Sequence, residues 1–209
     1  MLRRWGLLAL VAVSGLLAAR SSTPRQDCNP PHYRWDVKID TALAGRQATH
    51  TTITDILTRW TPPALGPGDT CAPRAGRELN RYVVRGWVRR IEKTKDDGDW
   101  HIELTDLATS PPESCIVVEI PLPRFGAVYR RARTQLNALL ADRHLDRDGD
   151  LDTPLEVRIA GAAFYDGQHR RTTSRRDRTD GGHGRCNTSL RALWEFHPVY
   201  DVSPQPSSP

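Results

Sequence analysis

The sequence predicts a mainly β fold of the α+β kind. It is a five-stranded Greek-key barrel with one helix between strands three and four, preceded by an N-terminal extension. Three observations predict it. Residues 83–106 read as two strands joined by a charged hairpin turn. Downstream the runs follow the order strand, helix, strand, strand, so the whole reads as three strands, a helix and two strands. Cys115 opens the third strand and Cys186 stands just before the fifth, two strands that run side by side and parallel in such a barrel. That element order is the order of an OB-fold. An α+β sandwich shares the order and is the competing architecture.

Residues 1–20 read as an export signal: Arg3 and Arg4, an apolar run from Trp5 to Leu17, then small Ala18 and Ala19. The run is short for a membrane span, and Arg20 stands where a lipid-bearing cysteine would be needed. Cleavage and release, into a secreted or periplasmic location, is the expected outcome, with an uncleaved anchor as the alternative. Residues 21–77 form the extension packed on the barrel. Within it residues 33–39 alternate like a short strand, and residues 52–60 carry Ile53, Ile56, Leu57 and Trp60 at helical spacing behind a capping threonine.

Residues 78–202 are the expected barrel. In its hairpin Val83, Trp87 and Ile91 share one parity, and Trp100, Ile102 and Leu104 share another, with Asp97-Gly98 favouring a tight turn. A strand that buries Trp100 turns His101 and Glu103 to the opposite, exposed face. Residues 115–121 make the third strand, stopped by Pro121 and Pro123. Val128, Tyr129, Ala132, Leu136, Leu139 and Leu140 line one side of a helix over 125–141. Residues 155–165 and 190–202 are the last two strands, Gly161 marking a bend or bulge. Residues 203–209, rich in Ser and Pro, are an expected disordered tail.

The chain has 209 residues, a formal charge of +5 and four cysteines. Its charge permits attraction to polyanions and equally suits an ordinary surface. An even cysteine count behind an export signal is read as two disulfides, Cys28–Cys71 and Cys115–Cys186. Zinc is the rival reading of the cysteines, but no pair has knuckle spacing. No integral membrane partner is implied.

Several blocks occur together in a fixed order: Trp35-Asp36-Val37-Lys38, the run Asp97-Gly98-Asp99-Trp100-His101-Ile102-Glu103-Leu104-Thr105-Asp106, then Val118-Glu119-Ile120-Pro121, Gly161 to His169, and Glu195-Phe196-His197-Pro198-Val199. In this the chain resembles a family of exported, uncharacterised bacterial proteins with a D-G-D-x-H-[LIV]-x-L-x-D hairpin and a closing E-L-H-P-V strand. The resemblance implies compartment and architecture, with no settled activity. Members of that family carry a short H-G-Q turn followed by an A-P-N-G segment, whereas here Asp166-Gly167-Gln168-His169 is followed by an arginine-rich insertion.

Three constellations carry chemistry. Arg170, Arg171, Arg175, Arg176 and Arg178 fall in the loop between strands four and five, which in OB-folds flanks the ligand groove. They suit phosphates, so the first expectation is a non-catalytic module binding an oligomeric or anionic partner such as single-stranded nucleic acid. Glu103 and Glu119 on the adjacent face oppose that reading. Of His101, His169, His183 and His197, three belong to strands or strand ends that the barrel brings near one another, so the four are expected to converge. With Glu103, Asp106 or Glu119 they offer nitrogen and oxygen ligands for zinc. The alternative is therefore a metal-dependent hydrolase, nuclease-like, built on His101, Glu103, Glu119 and His197, with a metal held by His101, His169 and His197. Asp146, Asp148, Asp150 and Asp152 alternate as in the first half of a calcium loop, though Leu151 replaces the required glycine. No resident cofactor is otherwise called for.

Overall fold

The computed structural model describes residues 30–93, 96–170 and 183–205. Its strands are β1 (Ala48–Thr51), β2 (Arg81–Glu92), β3 (Trp100–Thr105), β4 (Cys115–Ile120), β5 (Asp150–Tyr165) and β6 (Trp194–Pro204). Its α-helices are α1 (Trp35–Lys38), α2 (Ile53–Arg59) and α3 (Ala127–Leu139). The strands form one sheet in the order β1-β2-β3-β4-β6-β5, and pairing of β2 with β5 closes it into a five-stranded barrel. β4 and β6 run parallel, and α3 joins β4 to β5. This is the OB topology that the element order predicts.

The core explains the order of residues along each strand. Ile102 and Leu104 of β3, Ile116, Val118 and Ile120 of β4, and Val157 and Ile159 of β5 point into the barrel. Helix α3 adds Tyr129, Ala132, Leu136 and Leu140, spaced three and four apart so that one stripe meets the core. Helix α2 begins where the Thr52 hydroxyl accepts from the Asp55 amide, and it buries Ile53 and Ile56. It lies so close to β2 that a Cβ on Gly86 would come within 2.9 Å of both Ile53 and Leu104.

Four expectations need correction. In β2 the inward residues are Tyr82, Val84 and Val88, joined by Ile91. A bulge between Val88 and Arg90 shifts the register, so the parity of Val83, Trp87 and Ile91 is not maintained along the strand. Residues 33–39 are not a strand: Arg34 adopts a left-handed backbone (φ 49) and a single helical turn follows. Tyr33 and Val37 pack together on Phe164, a spacing of four that alternation also satisfies. Trp100 is half-buried, whereas His101 and Glu103 are buried at 4% and 0% exposure. The two faces of β3 are assigned as expected, but the outer one is covered. Finally, β5 starts at Asp150, and β6 runs to Pro204, two residues into the expected tail.

The cover over the outer face is fixed by polar anchors. The buried Arg34 guanidinium donates to both oxygens of Glu78 at 2.7 Å and also to the carbonyls of Ala72, Pro73 and Tyr165. Arg74 donates to the carbonyls of Val37 and Ala163. At the other end the Cys115–Cys186 disulfide ties the β5–β6 connection to the start of β4. Cys71 is also disulfide-bonded, and Cys28, its expected partner, lies outside the described residues, as does the export signal. The disulfide points to a non-cytoplasmic environment. Among the described residues no helix is long and apolar enough to cross a membrane.

Candidate functional site: a histidine and carboxylate pocket on the outer face of the barrel

Register builds the floor of the site. His101 on β3 pairs directly across from Glu119 on β4, on the face away from the core. β4 and β6 pair Val117 with Glu195 and Val118 with Phe196, which brings His197 alongside Glu119. Because side chains alternate, His101, Glu119, Glu195 and His197 all stand on the same outer face. Asp99, just before β3, closes the row: His197 Nε2 lies 3.0 Å from Asp99 Oδ2.

The walls come from loops. Asp166 ends β5 and caps a 3-10 turn, Gly167–His169, by accepting from the Gln168 amide. The turn carries His169 back to Asp166, with Nδ1 2.8 Å from Oδ2. His183 forms an isolated bridge with Cys186, so the disulfide sets its position. Its ring lies 4.7 Å from that of His169 and 5.5 Å from that of His101, centroid to centroid. Lys38 reaches in from α1. Between these walls lies a cavity of about 580 Å³, bounded also by Asp96 and Asp97 of the β2–β3 turn and by Arg90 and Glu92.

Charge in the site is unevenly compensated. Burial pushes the Glu119 carboxyl up, but the charge of the adjacent His197, the hydrogen bond from His101, and Lys38 outweigh it and hold it well below its ordinary value. Burial pushes His197 down, and Glu119 with Asp99 outweighs that and raises it well above the ordinary imidazole. His197 Nδ1 is 2.8 Å from Glu119 Oε2 yet off the line of a hydrogen bond, so that contact is charge attraction. Glu195 has too little relief: burial, reinforced by Glu119, outweighs His197 and Lys38 and pushes its carboxyl up to about 8, and neither oxygen is hydrogen-bonded. Burial pushes the His183 imidazole down to about 3, which leaves it neutral. Burial lowers Lys38, but Glu119, Glu195 and Asp166 raise it beyond its ordinary value.

Of the residues predicted from sequence, His101, His169 and His183 meet at the cavity with Glu119, while fully buried His197 sits one layer beneath. Glu103 does not join them. It faces along the sheet to Arg90 and Arg185, and Arg185 also grips Asp150. Asp106 accepts from Thr54 at the start of α2. Of the four alternating aspartates, Asp150 and Asp152 lie in β5, and Asp146 Oδ1 accepts from the amides of Asp148 and Asp150 in the turn before it. Arg170 donates to the Pro63 carbonyl and the Tyr165 hydroxyl. Arg171, Arg175, Arg176 and Arg178 lie outside the described residues. Sequence reasoning missed Lys38, Asp99, Asp166 and Glu195. The two-residue spacings Asp99/His101 and Glu195/His197 were the available signal for two of them; Lys38 left none.

Among the described residues, three groups of donors have ligand atoms within 4.8 Å of one another: Asp166, His169 and His183; Asp99, Glu119 and His197; and Glu103 with Cys115 and Cys186. The third group's sulfurs are bonded to each other. The second is wholly buried. All three residues of the first line the cavity, whereas of the second only Glu119 does.

No family model matches the chain. No curated protein matches it either. Among solved structures, a protein described as an aspartyl-tRNA synthetase from Leishmania major Friedlin is similar at 11% identity and a TM-score of 0.35. The match covers 76% of this chain and 21% of that one. OBody AM3L09, solved bound to hen egg-white lysozyme, is similar at 13% identity and a TM-score of 0.29, over 63% of this chain and 95% of that one.

Proposed function

We propose that the protein is an exported, non-catalytic OB-type binding module whose ligand face is closed into a pocket for a small cationic ligand. The observation that carries this is the position of the cavity. OB-folds bind on the face of their second and third strands, between the loops joining strands one to two and four to five. Here β3 and β4 are those strands, Asp96 and Asp97 belong to the first loop, and Asp166, His169 and His183 belong to the second.

The lining selects the ligand class. Glu92, Asp96, Asp97, Glu119 and Asp166 oppose Lys38 and Arg90, so the pocket favours positive charge. Pro30, Pro31, Tyr33, Pro67 and Thr70 also border it. A groove closed in this way suits a small ligand better than a polymer threaded along the sheet. The expected anionic partner has less support: Arg170 is engaged by its neighbours, and the pocket's carboxylates repel phosphates.

The test is a titration followed by amide NMR shifts, using spermidine and divalent cations on one side and oligo-dT on the other, at physiological salt. The cations should shift the amides of His101, Gln168, His169 and Gly184, and Asp166→Asn should weaken the effect at least several-fold. Saturable oligo-dT binding with a steep salt slope, and no cation-induced shifts, would overturn the reading.

A further inference from the structure

We infer that Asp166, His169 and His183 together form a site for a borderline divalent transition metal, zinc or a close relative, at the wall of the pocket. The inference rests on the pocket being the binding face and names what it binds. Two neutral-capable imidazoles and one carboxylate are the donor set that such ions prefer over magnesium or calcium, which favour oxygen alone.

The geometry is built by separate parts of the fold. Asp166 and His169 are three residues apart on one tight turn, so the two donors face each other before any other element arrives. His183 is delivered by the turn that the Cys115–Cys186 disulfide fastens to β4. Asp166 Oδ2 lies 2.8 Å from His169 Nδ1 and 4.0 Å from His183 Nε2. A tetrahedral ion with bonds of about 2.0–2.1 Å holds its donors about 3.3 Å apart, between those two values. A dication would replace the proton now shared by Asp166 and His169 and draw His183 inward.

Two independent features point to a missing partner. His183 is 5% exposed, and its Nδ1 has no hydrogen-bond partner. Behind it Glu195, 1% exposed, places Oε1 3.1 Å from His183 Nε2 with neither oxygen hydrogen-bonded. A buried carboxyl with no donor on either oxygen, set against that same nitrogen, favours a cation there. Three protein ligands leave the remaining coordination position open to the cavity, where a water or a donor atom of a second molecule fits.

The full exported chain, stripped with chelator, is titrated with Zn²⁺ by calorimetry and with Co²⁺ by visible absorption. One equivalent should bind, with the intense cobalt bands of a four-coordinate site. His169→Ala and Asp166→Asn should each weaken zinc binding at least tenfold, while His144→Ala, at an exposed position outside the pocket, should leave it unchanged. His183→Ala should abolish binding. If that variant does not fold, His169→Ala decides, because its side chain is 40% exposed. No stoichiometric zinc, or undiminished affinity in the Asp166 and His169 variants, would overturn the metal site. In that case spermidine shifts that depend on Asp166 would keep the pocket reading, and their absence would remove both.

Discussion

His101 donates from Nδ1 to the Glu119 carboxylate at 2.9 Å, while Trp100 beside it spreads its ring between the Lys93 ammonium and the Arg133 guanidinium. The histidine holds a buried charge in place and the tryptophan covers a rim. Removing a partner from a buried carboxylate costs the desolvation that the bond had offset. His101→Ala is therefore expected to lose about 1–3 kcal/mol. Trp100→Phe keeps an aromatic face for both cations and should lose less than about 1 kcal/mol. Urea melts of the two variants check this; a larger loss for Trp100→Phe than for His101→Ala would refute it. The residue-scale error in reading the sequence has a clear cause. Alternation says which face a side chain takes, and it is silent on whether another segment covers that face.

The connection from β5 to β6 is the element on which the pocket depends. Its start is held by the Asp166 cap and its end by the disulfide, so His183 sits on a tether fixed at residue 186. The disulfide closes a sequence separation of 71, for which chain-entropy arguments assign about 4 kcal/mol. Replacing Cys115 and Cys186 together by Ala should lower stability by up to about that amount and release the turn at 183–186. Hydrogen exchange should then show fast exchange of the Cys186 amide, which donates to the His183 carbonyl at 3.0 Å. The β2 and β5 amides should stay protected. Loss of protection across β2 and β5 as well would mean that the bridge holds the barrel and not only the loop. Bulges explain what alternation missed at this scale. One between Val88 and Arg90 switches parity within β2; those flanking Gly161 fall where the glycine marks a bend or bulge, and there a Cβ would meet the Pro198 carbonyl at 2.8 Å.

The molecule as a whole buries an ion-pair stack, Asp99–His197–Glu119, against its barrel. That ties global stability to pH. Glu119, depressed in the fold, contributes fully above its unfolded value near 4.5 and loses that contribution as pH falls through the folded value. His197, raised in the fold, contributes fully below its unfolded value near 6.5 and loses it as pH rises through the folded value. Glu195, raised to about 8, loses its contribution as pH rises from 4.5 through 8, and His183, lowered to about 3, loses its own as pH falls below 6.5, so the two offset each other between 4.5 and 6.5. Chelator-treated protein should accordingly be most stable between about pH 4.5 and 6.5. Each tenfold change in a group's proton affinity on folding is worth about 1.4 kcal/mol. Denaturant melts across pH 4–9 test the window, and His197→Gln should flatten its alkaline side. An optimum above pH 8 in the native protein would contradict the stack.

The barrel was legible in the chain alone. Strand order, the stripe along α3, the Thr52 cap and the placement of Cys115 and Cys186 are local or pairwise signals, and hydrophobic periodicity writes them directly into the chain. The same reading marked His101, Glu119, His169, His183 and His197 as residues with chemistry to offer. Which of them meet was settled by the folded molecule. His101 and Glu119 face each other through register, His197 drops beneath them because β4 and β6 run parallel, and Lys38 arrives from α1, 63 positions before His101 in the chain. Glu103 left the group because Arg90 and Arg185 hold it along the sheet. Such encounters depend on pairing register, on a covering segment pinned by Arg34 and Glu78, and on one disulfide. Each acts between residues far apart in the chain, where no periodicity records it.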